Sequence, residues 1–206
     1  MKPKTNLYFI ALLPPEDLIH QIEMARLRLA KQFKCREALK LVPGISLQIP
    51  FQQLPFREEI MIEKLKEFAQ LQYPMMVKLN GYGAFPEHTV FIKARPSASL
   101  KLLHRQLGKF LKMELNFSDD MIGHNVFRPH ITMATKDIKS KFRKIFNEYK
   151  SGRFEADFMA SSMYLMKHNY SHWEVLEELV FKGVGYTMDL FRDNNHLTVR
   201  DLLLAR

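Results

Sequence analysis

The chain has 206 residues, of which 47% are hydrophobic and 26% are charged. This composition is typical of a soluble globular protein and excludes a largely disordered chain. The single cysteine, Cys35, excludes an internal disulfide and a zinc site built from several cysteines. Because the sequence has neither a run of about 18 apolar residues nor a signal-peptide pattern, we expect a cytoplasmic protein with no membrane span.

The charge balance indicates an anionic partner. Lysine and arginine number 31 against 22 acidic residues, which gives a net charge of +9 and a pI near 9.6. A surface of this sign attracts RNA or nucleotides, and salt weakens the attraction. The excess could also be an incidental property of a small basic protein. Its densest cluster, within 136–144, is typical of the solvated face of a helix.

Strand and helix patterns alternate along the first half of the chain. An apolar run that ends at Pro14-Pro15 predicts a buried strand, and the apolar residues after it recur at helical spacing. Prolines inside the next extended run place that run at a sheet edge or interrupt it. The predicted elements are a strand over 6–13, a helix over 16–33, an extended segment over 39–51, a helix over 57–71 and a strand over 75–79.

The second half repeats this alternation and ends in a predicted hairpin. Its predicted elements are a strand over 89–94, a helix over 97–115, a polar loop over 116–125, a strand over 126–135, a helix over 136–149, and strands over 154–166 and 173–181. Such a series predicts an α+β or α/β chain with two sheets.

An internal repeat connects the two halves. Residues 7–14 match 89–96 at an offset of 82, and residues 43–47 match 129–133 at an offset of 86. Two matches in the same order favour a duplicated chain with two lobes. Because ligand sites form preferentially at such internal interfaces, we expect one cleft between the lobes.

The second of these matches carries a pair of chemically useful side chains. Side chains alternate between the faces of a strand, so His130 and Thr132 share one face. An imidazole moves protons near neutral pH, and a hydroxyl donates to an anionic oxygen. A lone His-x-Thr is more often a histidine satisfied inside a core. Here the duplicated position, opposite Gly44 and Ser46 in the repeat, favours a functional pair.

These residues resemble the 2H phosphoesterase superfamily, which includes bacterial 2′-5′ RNA ligase-like proteins and cyclic nucleotide phosphodiesterases. That family has two His-x-Thr/Ser-x motifs, one in each lobe. The second motif is intact at 130–133 and follows Phe127-Arg128-Pro129. The resemblance extends over about 6–182 and implies an α+β fold. In this fold two duplicated sheets form the lobes around a central cleft, and the helices lie outside.

The first motif departs from the family pattern. The family has a histidine where this chain has Gly44, whereas Ser46 keeps the hydroxyl position. His88 begins a superficially similar stretch, but the repeat aligns it with the first strand of a lobe, so it is a weak substitute. The resemblance therefore implies a site that lacks one of its two imidazoles.

The resemblance also implies a mechanism of paired acid-base chemistry. One histidine acts as a general base and the other as a general acid, while the two hydroxyl residues hold the non-bridging phosphate oxygens. It gives catalytic roles to His130, Thr132 and Ser46, and it needs no metal and no cofactor. Loss of one acid-base partner costs about 10²- to 10⁴-fold in rate, so we expect Gly44→His to restore activity.

Three further residues are candidates for substrate binding. Arg128 is a cation beside the motif, while Tyr164 and His168 lie around the last predicted hairpin, where a base could stack on an aromatic ring. Ordinary packing or a solvated turn is the alternative for each of them. His124, in the loop before the motif strand, is a weaker candidate at the mouth of the cleft.

The favoured function is that of a phosphodiesterase, a hydrolase that acts on RNA ends or on 2′,3′-cyclic phosphates. An impaired family member that only binds RNA or a nucleotide is the first alternative, and a scaffold with an incidental basic surface is the second. We expect one bilobal domain over 1–183 whose lobes share strands, with repeats over about 6–80 and 88–166. The remaining 184–206 are expected to form a short C-terminal helix. The sequence does not indicate an oligomeric state.

Overall fold

Two four-stranded antiparallel sheets form the framework of the protein in the computed structural model, which describes residues 5–122 and 126–184. The strands are β1 (Asn6–Leu12), β2 (Ile45–Gln53), β3 (Met75–Phe85), β4 (Thr89–Ala94), β5 (His130–Thr135), β6 (Glu155–Ala160), β7 (Ser162–His168) and β8 (Trp173–Val180). The helices are α1 (Glu16–Phe33), α2 (Glu58–Gln70), α3 (Ala98–Leu115), α4 (Asp119–Ile122) and α5 (Phe142–Tyr149). Short 3-10 turns lie at Glu37–Lys40, Pro55–Arg57 and Lys139–Lys141. The α+β class predicted from the sequence is confirmed.

The two sheets have matching strand orders. Sheet A has the order β2-β1-β7-β8, and sheet B has the order β5-β4-β3-β6. The two orders match when β1 corresponds to β4, β2 to β5 and β7 to β3. Strand β3 comes from the first half of the chain but lies in sheet B, and β7 comes from the second half but lies in sheet A. Each sheet is therefore built from both halves of the chain.

Strand β1 is covered on both of its faces. Tyr8, Ile10 and Leu12 are buried in the large core that both sheets share with the helices. Phe9 and Ala11 are buried in a smaller apolar cluster on the other face. Burial on both faces explains why the run is apolar without alternation, which is the pattern that predicted a buried strand.

Helix α3 has a clear start, a buried stripe and a clear end. The Ser97 hydroxyl accepts a hydrogen bond from the Leu100 N–H at 3.2 Å and so caps the first turn. Leu100, Leu103 and Leu107 are buried at the spacing of a single helix face. Asn116 takes a left-handed conformation with φ 56° and ends the helix.

The segment 154–166, predicted as one strand, is two strands in different sheets. Strand β6 pairs with β3 in sheet B, whereas β7 pairs with β1 and β8 in sheet A. The chain changes sheets at Ser161, whose carbonyl accepts a hydrogen bond from the Phe181 N–H at 2.8 Å. Apolar residues continue on both sides of the crossing, so the sequence pattern gives no signal for it. The predicted hairpin is confirmed for β7 and β8.

Strand β3 continues past its predicted end at residue 79, as far as Phe85. Gly81 has φ 64°, and the register with β4 shifts between Leu79 and Tyr82. A bulge at a glycine in the left-handed region lets the strand bend and continue, so the glycines do not end it.

Other boundaries also move. The predicted loop 116–125 contains the short helix α4, and the strand predicted over 126–135 begins only at His130. The helix predicted over 136–149 begins at Phe142, because Lys136 has φ 62°, a left-handed conformation that a helix cannot include. The segment 39–51 begins in a 3-10 turn and then forms β2, which is an edge strand as its prolines predicted.

The helix predicted within 184–206 lies outside the described residues, apart from Val184. No helix in the described part of the chain is long and apolar enough to cross a membrane.

A buried arginine joins the edges of the two sheets. Arg26 on α1 is 2% exposed. Its Nε donates to the Thr132 carbonyl of β5 at 2.8 Å, and its Nη1 donates to the Leu41 carbonyl ahead of β2 at 2.7 Å. Burial lowers its pKa to about 10, with a smaller opposing effect from Glu23, so it remains charged at neutral pH. One side chain thus fixes the distance between the two predicted motif segments.

Replacement of Arg26 by methionine tests this bridge. Arg26→Met keeps a long, helix-favouring side chain but leaves two buried carbonyls without their donors, so we expect the free energy of unfolding to fall by about 2 kcal/mol. The control is Arg28→Met, an exposed position on the same helix, where the change should stay within about 0.5 kcal/mol. Urea denaturation measures both. Equal stabilities of the two variants would show that the bridge contributes nothing.

Candidate functional site

A cavity of about 600 Å³ lies where the edge strands β2 and β5 approach helices α3 and α4. It is lined by Ser46, Leu47, Ile49, Phe85, His104, Ile122, Val126, Phe127, Arg128 and His130. Such a volume is typical of pockets that hold small ligands. The lining is mainly apolar, and the polar groups among these residues are one hydroxyl, two imidazoles and one guanidinium.

Ser46 and His130 reach this cavity from different sheets. Ser46 lies between Ile45 and Leu47, which are buried in the core, so alternation along β2 leaves its side chain exposed. His130 is the first residue of β5 and is half-buried. Two residues that the sequence analysis assigned to different lobes therefore line a single cavity.

The imidazole of His130 is held by one hydrogen bond and two aromatic rings. Its Nδ1 lies 2.6 Å from the Arg128 carbonyl oxygen, and its ring centre lies 4.6 Å from that of Phe91 and 5.2 Å from that of Phe85. Because a carbonyl oxygen can only accept, Nδ1 carries the proton of the neutral ring. Nε2 is then the nitrogen that can take up a proton.

The surroundings of His130 favour its neutral form. Burial lowers the pKa of His130 below its usual value of 6.5, and the hydrogen bond to the Arg128 carbonyl opposes this shift more weakly. A neutral imidazole with a free Nε2 is equipped to act as a general base near neutral pH.

Arg128 supplies positive charge at the edge of the cavity. Its side chain is exposed, and its guanidinium carbon lies 6.0 Å from the centre of the Phe85 ring. A guanidinium on an aromatic face keeps its donors available for an anionic oxygen while its own position is restrained.

Thr132 is on the same face of β5 as His130, but it does not line the cavity. Its pairing partner across the sheet is Phe91, and its carbonyl accepts the hydrogen bond from Arg26. A hydroxyl two residues along a strand is one pleat repeat away from the imidazole. The structure thus leaves Thr132 beside the site, and its role in binding phosphate stays a prediction.

Tyr164 and His168 lie on β7 in sheet A and do not line the cavity. The Tyr164 hydroxyl donates to Glu178 at 3.0 Å, and the His168 ring meets Trp173 edge to face at 5.0 Å. Burial raises the pKa of Tyr164, and the Glu178 carboxylate raises it further. Both side chains are engaged with β8, and their part in substrate binding remains a prediction.

His88 and His124 are the remaining histidine candidates. His88 is exposed in the turn between β3 and β4, where its N–H donates to the Phe85 carbonyl at 3.0 Å. It does not line the cavity. His124 lies outside the described residues.

A second imidazole in the cavity, His104 on α3, was not found by sequence reasoning. Its ring stacks on Phe127 with the ring centres 3.9 Å apart and the planes at 15°. Burial lowers its pKa. The available signal was its position, because His104 lies at helical spacing between Leu100 and Leu107 in an otherwise apolar stripe.

Gly44 occupies a position with no room for a side chain. A Cβ at Gly44 would lie 2.9 Å from the Leu12 carbonyl oxygen and 2.6 Å from Leu13 Cδ2. The Gly44 N–H donates to the Val42 carbonyl at 2.9 Å, which closes a tight turn around Pro43. The Leu13 side chain can move aside, but the carbonyl belongs to the backbone of β1. A histidine at this position therefore requires the Leu12 backbone to shift, so the crowding argues against the activity expected for Gly44→His.

One wall of the cavity is fixed by a buried glutamine. Gln48 of β2 is 3% exposed, and its Nε2 donates to the Met121 carbonyl of α4 at 2.6 Å. This bond ties α4 to the edge of sheet A and places Ile122 in the cavity lining.

Within the described residues, no group of three or more His, Cys, Asp or Glu side chains could hold a metal ion.

Comparisons with known proteins concern the family and the fold. The family model of the 2′-5′ RNA ligase superfamily matches residues 14–171. A comparison with curated protein sequences gave no match. Among solved structures, TT0787 of Thermus thermophilus has a TM-score of 0.64 and 19% identity, over 87% of this chain and 100% of that chain.

E. coli LigT is similar in two further structures. Its apo form has a TM-score of 0.61 and 14% identity, over 86% of this chain and 98% of that chain. Its complex with 3′-AMP has a TM-score of 0.59 and 14% identity, over 86% of this chain and 99% of that chain. At these identities the likeness shows the fold alone.

The crowding at Gly44 predicts the cost of any side chain there. We expect Gly44→Ala to lower the free energy of unfolding by about 1 to 3 kcal/mol, because overpacking must displace the Leu12 backbone. The control is Gly108→Ala in α3, where the nearest atom to an added Cβ is 3.7 Å away and the helix gains propensity. Urea denaturation compares the two. Gly44→His should lose at least as much stability and should not restore a rate, and a stable, faster Gly44→His variant contradicts this.

The cavity also predicts a response of His130 to anions. In the free protein the imidazole should titrate below 6.5, and saturating inorganic phosphate should raise its pKa because a nearby anion favours the charged ring. Proton NMR of the histidine ring signals follows both values, with exposed His20 of α1 as the internal control. A His130 signal that does not move at saturating phosphate argues against an anion site.

Proposed function

Because the chain belongs to the 2′-5′ RNA ligase superfamily, we propose that it binds a 2′,3′-cyclic phosphate, at an RNA end or in a nucleotide, and hydrolyses it slowly. The observation that carries this proposal is the presence of His130, Ser46 and Arg128 in the lining of one cavity. They supply a proton acceptor, a hydroxyl donor and a positive charge, which are the groups needed around a phosphodiester.

The apolar part of the cavity supports a nucleotide rather than a bare phosphate. Phe85, Phe127 and Ile49 provide surfaces on which a base or ribose can be placed. The structurally similar E. coli LigT has been solved in complex with the nucleotide 3′-AMP. A net charge of +9 adds a general attraction for RNA.

His130 is proposed as the catalytic base. Its neutral form is favoured by burial, and its Nδ1 is committed to the Arg128 carbonyl. Nε2 can then accept a proton from water as the oxygen attacks phosphorus. Without an imidazole at Gly44, the partner on the other side of the phosphorus is not the one its relatives use. A rate about 10²- to 10⁴-fold below that of an intact pair is the expected cost.

The lack of an imidazole at Gly44 also favours a second candidate function, in which the protein binds the nucleotide without turning it over. The crowding around Gly44 is consistent with this alternative, because the chain at this point is built around a residue with no side chain. The two functions share the cavity and differ only in whether His130 transfers a proton.

Turnover of adenosine 2′,3′-cyclic phosphate separates the two. We expect a measurable kcat/KM for the unmodified chain and a loss of about 10²- to 10⁴-fold in His130→Gln, because glutamine can hydrogen-bond but cannot accept the proton. The matched control is His20→Gln on the exposed face of α1, which should keep the full rate. Product formation followed by chromatography gives both values.

The remaining outcomes are equally informative. Salt-sensitive binding of a short RNA with a 2′,3′-cyclic phosphate end, with no turnover, would assign the binding function instead. Full turnover in His130→Gln would place the chemistry outside this cavity. If the protein shows no binding and no turnover, its basic surface is an incidental property.

A further inference from the structure

We propose that His104 of α3 is the second proton-transfer group of this site and takes the place of the imidazole that Gly44 lacks. This inference rests on the proposed function, since it concerns the same substrate and cavity. It assigns a helix residue to a task that the family resemblance assigns to a strand residue.

The first support is position. His104 and His130 line the same cavity of about 600 Å³, which is the size of a small-ligand pocket. A nucleotide that fills such a cavity can contact both rings. His104 lines the cavity from α3, whereas His130 lines it from the edge strand of sheet B, so the two imidazoles come from different elements.

The second support is the way the His104 ring is held. Stacking on Phe127 at 3.9 Å and 15° fixes its plane. Phe127 itself lines the cavity and is three residues before His130, so one short segment positions both imidazoles. A general acid needs this restraint, because proton transfer requires a defined approach to the leaving oxygen.

The third support is the hydrogen-bonding state of the ring. Neither nitrogen of His104 has a hydrogen-bond partner in the described residues, and the one buried side-chain nitrogen there without a partner belongs to Arg26. The His104 nitrogens are therefore accessible from the cavity. A histidine kept only for packing is normally satisfied by a protein partner.

The reaction balances with these two rings. Nε2 of neutral His130 takes a proton from water while the water oxygen forms a bond to phosphorus. The bond between phosphorus and one of the two bridging ribose oxygens breaks, and protonated His104 donates its proton to that oxygen. The products are a phosphomonoester and a free ribose hydroxyl, and exchange of one proton with solvent returns both rings to their starting states.

Charge in the cavity supports this division of roles. Among the described residues that line it, the titratable or charged ones are His104, Arg128 and His130. Burial lowers the pKa of both imidazoles below 6.5, so the protonated acid is scarce in the free protein at neutral pH. An anionic phosphodiester favours protonation of a nearby ring. The rate should therefore be slow at neutral pH and highest on the acid side of 6.5.

His104→Phe is the informative variant, because phenylalanine keeps the ring that stacks on Phe127 and removes both nitrogens. We expect kcat/KM for adenosine 2′,3′-cyclic phosphate to fall by about 10²- to 10⁴-fold while the melting temperature stays close to that of the unmodified chain. The pH profile should also lose its fall at high pH, which reports the deprotonation of His104. His104→Gln is the second variant, and His20→Phe on exposed α1 is the matched control.

The outcomes separate this inference from the proposed function. Turnover that His130→Gln abolishes but His104→Phe leaves unchanged overturns the role of His104 and leaves the proposed function intact. The role of His104 is also overturned, with the proposed function intact, if both His104 variants are slow but their rates still fall at high pH. Absence of turnover in the unmodified chain overturns both. The role of His104 and the proposed function are both supported if a folded His104→Phe variant is slow and its rate no longer falls at high pH.

Discussion

The arrangement of the site depends on one buried guanidinium. Arg26 donates to one carbonyl on the segment that leads into β2 and to another on the strand that begins at His130, so the two sheet edges are held at a distance set by its own width. A buried charge is costly unless its hydrogen bonds are made, and this cost discourages any arrangement in which the edges separate. Its Nε and Nη1 make these two hydrogen bonds, and its Nη2 has no partner in the described part of the chain.

The exchange of strands between the halves makes this constraint effective. Because β3 lies in sheet B and β7 in sheet A, neither half can rotate as a unit without losing strand pairs in both sheets. The free edges are then β2 and β8 in one sheet, and β5 and β6 in the other. The cavity lies where β2 and β5 come together, and these two edge strands contribute Ser46, Leu47, Ile49 and His130 to its lining.

Local sequence patterns predict the bounds of those elements whose start and end are set by neighbouring residues. The bounds of α1 and β4 were predicted without error, since their apolar spacing and flanking prolines act within the element. Contacts between distant segments decide three other features, and no local pattern predicts them. These are the crossing at Ser161, the bulge at Gly81 and the start of β5 at His130. The site shows the same difference. A local sequence motif predicts His130, whereas the place of His104 beside Phe127 depends on how α3 packs.

The two sheets have matching strand orders around the site, but the residues at their matched positions differ. On the β5 side, the His130 ring packs against two aromatic rings, and a carbonyl fixes its tautomer. On the β2 side, the equivalent position is crowded by the Leu12 backbone, and the polar side chain that β2 contributes to the cavity lining is Ser46. Among the described elements that line the cavity, α3 supplies the other imidazole, His104, so a second proton-transfer group can come from a helix where the matched strand position has no room for one.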